Sequence, residues 1–179
     1  MESDGGEIAE FEEDEEQAEG RDVVERDQEV RYYIDVDWYE GEGLSFSDIA
    51  NARMCNDCQR RLDEEVEEKY PVLDPKTKRL SYELRRFRRG ARPLQILRDC
   101  CSRKGGFITP ELPILEAVFR IVLANANQPM PLEHIRDQLR EWCPTGRCQW
   151  LLLPLDSMRR LLDNDRAYGL RRHELLEAA

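Results

Sequence analysis

Charge separation along the chain sets the first limit on what it can fold into. Residues 1–29 carry fourteen acidic side chains and two basic ones, a net of −12, while the other 150 residues come out near +1. A segment this charged, with few large apolar groups, cannot offset the entropy lost on ordering. It is expected to be a disordered acidic tail, with order beginning at Val30. Within the remainder, residues 76–104 hold eleven Lys or Arg and two acids, a net of +9. An acidic tail joined to a body with a basic stretch is a pattern of interaction proteins. Arginine supplies 23 of the 27 basic residues. Its planar fork suits phosphate, although genomic base composition accounts for the excess equally well.

No apolar run approaches the roughly 20 residues needed to span a bilayer. The acidic N-terminus has neither the basic region nor the apolar core of a secretory signal. A cytoplasmic protein with no membrane partner is expected. In that compartment the six cysteines predict metal ligands or small buried hydrophobes rather than a disulfide framework.

Cys55-Asn56-Asp57-Cys58 is the sharpest local signal. Two thiolates spaced C-x2-C can grip one ion from a tight turn, and a structural zinc wants four such ligands in a tetrahedron. One pair is half a site. The favoured completion is Cys100 and Cys101, which can converge if a helix ends there, as Gly105-Gly106 suggests. The rival second pair is Cys143 and Cys148, around a Pro-Thr-Gly turn. The plain reading is that Cys101 continues the Leu94–Leu97 apolar stripe and the others are incidental. An iron–sulfur cluster would use the same ligands, and a thioredoxin-type redox pair would need a βαβ setting.

The chain reads as mainly α, in three parts: the tail (1–29), a helical, cysteine-bearing module with the basic stretch (30–106), and a C-terminal domain (107–179). Arg31–Tyr39 is aromatic and fits a short strand or docking segment. Ser45 with Asp48 resembles a capping box for a helix over about 46–54. Gln59–Tyr70 predicts a helix, and so does Arg79–Arg89, with Leu80, Leu84 and Phe87 on one face. Pro93 can begin another at its first turn. Further on, Thr109 and Pro110 can start a helix whose buried face holds Leu115, Val118, Phe119 and Val122. Pro131 starts a second, with Leu132, Ile135 and Leu139 inward. Trp150–Leu153 fits a short strand. Pro154 precedes a third helix with Leu155, Met158, Leu161 and Leu162 inward, and residues 168–172 look extended.

That order of elements, carried by LEAVFRIVLANANQPMPLEHIRDQL (115–139) and PLDSMRRLLDNDRAYGLRR (154–172), resembles a winged-helix domain over about residues 109–172. The resemblance implies that the third helix can enter a DNA groove, with Ser157, Arg159, Arg160 and Asn164 on its outer face. Asp156, Asp163 and Asp165 oppose that use, and winged helices also bind proteins.

Catalysis draws little support. His134 and His173 are the only imidazoles, and no glycine-rich phosphate loop follows a strand. The expected function is therefore non-enzymatic. It is a zinc-stabilised regulator or accessory factor, of the kind found in transcription, that binds nucleic acid or a protein of a nucleic-acid machine. Arg85, Arg86, Arg88, Arg89, Arg92, Arg159 and Arg160 are the candidate contacts. The alternative is a protein–protein adaptor without nucleic-acid contact.

Overall fold

The computed structural model describes residues 30–146 and 148–173. The expected acidic tail therefore lies outside the described residues. The order of elements is mixed rather than mainly α, with two antiparallel sheets among the described residues.

The first sheet is built around the aromatic segment. Strand β1 (Arg31–Ile34) alternates so that Tyr32 and Ile34 are fully buried. It pairs antiparallel with β4 (Met130–Pro131) on one side and β5 (Leu170–His173) on the other. Asn127 fixes its end: the side-chain oxygen accepts from Ile34 N at 2.7 Å, and the side-chain amide donates to Ile34 O at 2.9 Å. Helix α1 (Val36–Gly41) follows at once, because the Asp35 carboxylate accepts from the Asp37 and Trp38 amides at its N-terminus. Tyr39 on α1 is buried and donates to Tyr168 O at 2.6 Å. Gly169 permits this approach. Its φ is +66°, and a Cβ there would lie 2.8 Å from the Trp38 ring; both conditions exclude larger residues.

Three helices cover this sheet. Helix α5 (Ile114–Ala124) buries Ala117, Val118, Phe119, Ile121, Val122 and Leu123. Helix α6 (Leu132–Glu141) buries Leu132, Ile135 and Leu139, and α7 (Leu155–Asp163) buries Met158 and Leu162. Each follows a proline, as expected for starts where the missing N–H costs no helical bond. The first begins after Pro113, not at Thr109, and residues 149–152 form a 3-10 turn where a strand is expected.

Short helices carry the cysteines. Helix α2 (Phe46–Asn51) starts at Ser45, whose hydroxyl accepts from Asp48 N. Helix α3 (Asn56–Gln59) begins directly after Cys55, and α4 (Pro93–Asp99) has Pro93 in its first turn. Ala50, Met54, Cys58, Leu97 and Cys101 join the same buried cluster as Phe119.

The main correction falls between these helices. The helices expected at 59–70 and 79–89 are absent; β2 (Glu65–Leu73) and β3 (Leu80–Arg88) form a two-stranded antiparallel hairpin instead. Leu80 and Leu84 satisfy a four-residue helical step and a two-residue strand step alike. The turn decides between them. Asp74 accepts from the Lys76 and Thr77 amides and Lys78 takes φ +53°, which reverses the chain and opposes Leu73 to Leu80. Pro71 then needs an edge strand, and β2 is one.

Candidate metal centre

The hairpin leaves the body between Cys58 and Cys100, and the four cysteines meet at its foot. The Sγ atoms of Cys55, Cys58, Cys100 and Cys101 all lie within 4.8 Å of one another. The Cys58–Cys100 pair is 3.5 Å apart and the Cys55–Cys101 pair 3.7 Å. A tetrahedral zinc with bonds of about 2.3 Å requires sulfur separations of about 3.8 Å, so the donor set matches such an ion in number and type, and these two pairs lie close to it in spacing. Local backbone explains the convergence. Cys55 precedes α3 in an extended conformation, placing its thiol one turn from that of Cys58. Cys100 sits at the C-terminus of α4 with φ −125° and ψ −62°, so the helix breaks between the adjacent cysteines and their side chains turn inward together. Cys58 and Cys101 are buried, while Cys55 and Cys100 are half-buried.

Hydrogen bonds around the sulfurs suit thiolates. The Cys55 amide donates to Cys101 Sγ at 3.3 Å. Burial pushes the Cys55 thiol up, but bonds from Cys58 and from Lys104 outweigh it and bring this group down to about 6. Burial and the surrounding thiols push Cys58 well above the ordinary thiol range, and burial also raises Cys101. One negative sulfur thus suppresses ionisation of its neighbours. A bound dication would remove that conflict, since metal ligation stabilises every thiolate at once. Lys104, held by Asp57 at 2.7 Å, brings a positive charge to the rim. Neither Lys104 nor Asp57 stands out in the sequence, although a lysine three residues after Cys101 is the available signal.

The other cysteines are elsewhere. Cys143 and Cys148 are buried and joined to each other by a disulfide. This corrects both the expectation of no disulfide and the rival ligand pair.

The candidate arginines of the basic stretch lie on β3 and the turn after it, not on a helix. Several are matched by acids. Arg86 bonds Glu67 at 2.6 Å, Arg85 lies 3.6 Å from Glu83, Arg89 lies 3.7 Å from Glu64, and Arg92 pairs with Glu68. Arg85 also covers the Tyr70 ring and Arg92 the Phe87 ring. Arg88, with Lys69, Lys76, Lys78 and Arg79, has no acidic partner among the described residues. Exposed Leu73, Leu80, Tyr82 and Leu84 lie among these cations. On α7, Arg159 bonds Asp156 at 2.8 Å and Arg160 is largely exposed.

An open groove of about 740 Å³ between the segment before α5 and the 3-10 turn at 149–152 is lined mainly by Pro110, Leu112, Pro113, Trp150 and Leu153. Glu111 is its one titratable side chain, which gives it a surface for contact but no acid–base pair. Among the described residues no helix is long and apolar enough to cross a membrane. No family model, curated protein or solved structure matches the chain; the winged-helix resemblance thus rests on element order alone.

Proposed function

We propose that this protein is a non-enzymatic binding factor in which one structural zinc ion clamps the foot of the β2–β3 hairpin and presents it to nucleic acid or to a protein of a nucleic-acid machine. The observation that carries this reading is the four-thiol cluster, every sulfur within 4.8 Å of the others, at the point where the chain enters and leaves the hairpin. Cys55 and Cys58 would hold the ion from the entering side, and Cys100 and Cys101 from the returning side. The ion would supply four bonds where the hairpin has little apolar burial of its own. All four positions would be filled by protein, which suits a structural rather than a catalytic zinc.

A second reading, the adaptor that binds protein alone, draws support from the ion pairs of Arg85, Arg86, Arg89 and Arg92. Charges already matched have less to gain from phosphate, and the exposed leucines of the hairpin suit a protein surface.

Elemental analysis of the purified full chain, with binding to generic RNA and DNA measured across a salt series, tests both parts. About one zinc per chain, with affinity that falls steeply as salt rises, is expected. Metal-free protein whose melting is unmoved by strong chelator rejects the clamp. Zinc-bearing protein without nucleic-acid affinity at low salt selects the adaptor.

A further inference from the structure

We infer that β3 is a self-association edge, through which two copies of this chain join their hairpins into one four-stranded antiparallel sheet. This goes beyond the binding role above and does not rest on it.

The hairpin has two open edges, and they are not equivalent. Hydrogen bonds at both ends of the ladder, from Asp74 N to Arg79 O and from Arg89 N to Glu64 O, fix which residues bond inward. On β3 these are Ser81, Glu83, Arg85 and Phe87. The backbone groups of Leu80, Tyr82, Leu84, Arg86 and Arg88 therefore face outward. On β2 the outward set includes Pro71, which has no N–H to offer. The β2 edge is thus interrupted, whereas β3 presents a nine-residue edge without proline, with every side chain except Phe87 exposed. An open edge of this kind is a template for another strand, and a hairpin alone is marginally stable.

Charge chooses the partner strand. About a two-fold axis at Leu84, β3 pairs antiparallel with itself. Leu84 then faces Leu84 of the second copy, Tyr82 faces Arg86, Glu83 faces Arg85, Ser81 faces Phe87, and Leu80 faces Arg88. Both Glu83–Arg85 pairs are attractive, and they occupy the close, non-hydrogen-bonded positions where side chains approach most nearly. Tyr82 against Arg86 allows a cation–π contact. Moving the axis one residue toward the turn sets Glu83 on Glu83. Moving it one residue the other way sets Arg85 on Arg85. Moving it two residues sets Arg79 on Arg85, or Arg86 on itself. The sequence LSYELRRFR is therefore self-complementary in one register and self-repelling in its neighbours. Two-fold symmetric pairing is also the commonest form of association between identical chains.

Sedimentation of the full chain should give twice the chain mass. Glu83→Arg and Arg85→Glu should each weaken the dimer about tenfold or more, because each puts two like-charge pairs at the axis. An equimolar mixture of these two variants should dimerise again, since both cross-strand pairs become opposite in charge. Amide exchange supplies a readout that needs no variant. The outward amides of Tyr82, Leu84 and Arg86 should gain protection as concentration rises, while those of Ser81, Glu83 and Arg85 stay protected throughout. If a variant's hairpin fails to fold, the inward amides exchange too, and the wild-type concentration series decides. A wild-type chain that stays monomeric at its highest soluble concentration overturns the inference. So does a dimer that the charge variants leave intact or whose outward amides exchange freely.

Discussion

In α5, seven of eleven residues are buried; in β3, eight of nine are exposed. The lobe around α5 orders its chain by removing apolar surface from water, with Phe119, Ile121, Leu123, Ile135, Leu139 and Met158 essentially inaccessible. The hairpin has no such interior. Beyond the backbone ladder, its side chains interact across the strands at the surface, as in Arg86 with Glu67 and Arg85 over the Tyr70 ring, and exposed ion pairs contribute little. What the hairpin has instead is a cluster of sulfurs at its foot. On the proposed reading, a metal ion held by these sulfurs would supply at the base of the hairpin the cross-links that burial makes unnecessary elsewhere.

The largest expected effect separates the two lobes. Metal ligation in small zinc modules contributes about 10–16 kcal/mol of apparent binding energy at neutral pH. If the cluster holds zinc as proposed, Cys58→Ser or strong chelator should abolish amide protection from about residue 55 to 103. Protection in α5, α6 and α7 should persist, because most of what they bury, including Phe119, Ile135, Leu139 and Met158, lies outside that segment. Joint loss of protection in both lobes would dissolve the comparison and make the cluster part of one cooperative core.

The reciprocal change probes the other side. Phe119 is fully buried between the Tyr168 ring and the Arg53 guanidinium. Phe119→Ala should cost about 3–5 kcal/mol through forfeited transfer energy and the cavity left behind. Denaturant unfolding monitored by far-UV circular dichroism measures it. A cost below about 1 kcal/mol would mean that the lobe does not depend on this ring.

Glu116 adds a charged tie between the lobes to the apolar packing of Met54 and Leu97. It is buried on α5, and its oxygens accept from Arg53, in the segment leading to Cys55, and from Arg120. Burial pushes its carboxyl up, but these two guanidinium groups outweigh that and hold it below the ordinary carboxylate value of 4.5. A group depressed in the folded state contributes stability above its unfolded pKa, and that contribution is lost as pH falls through the lower folded value. Glu116→Gln should cost about 2 kcal/mol at neutral pH, since partly exposed arginines limit the penalty. The gap from wild type should close as pH falls through the ordinary carboxylate range and below it. A constant gap across that range would assign the cost to packing rather than charge.

How far the sequence reveals this division differs between the lobes. The helices of the core lobe follow from prolines and three- to four-residue apolar spacing, and Phe119, Ile135, Leu139, Met158 and Leu162 are readable as its interior. The cysteine set is also readable, because C-x2-C leaves few candidates for its missing half. The hairpin is not. Glu65 to Lys69 are mostly good helix formers, and Leu80, Leu84 and Phe87 fit a helical stripe, so local preference points the wrong way. The outcome is decided by pairing between two segments and by the Asp74 turn, neither of which a single-segment period reports. The pairing of the arginines is hidden for the same reason, since a helix would leave them without the glutamates of β2.

That pairing leads to the smallest expected effect and the finest test of the comparison. If the hairpin binds phosphate, its cations should divide into two classes. Lys78 is exposed and has no acidic partner among the described residues, so Lys78→Ala removes a charge that phosphate can use fully. Arg86 is engaged by Glu67, so its bond to phosphate must compete with an existing one. Folding stability should change by under about 1 kcal/mol for either substitution, because both groups are at the surface. In the salt dependence of RNA or DNA affinity, removing one phosphate-neutralising cation lowers the slope by roughly 0.7–0.9. Lys78→Ala should show that change and Arg86→Ala a smaller one. Adding Glu67→Gln should free Arg86 and raise both affinity and slope. If Arg86→Ala costs more affinity than Lys78→Ala, the glutamates of β2 do not screen β3, and the hairpin presents its arginines to phosphate directly.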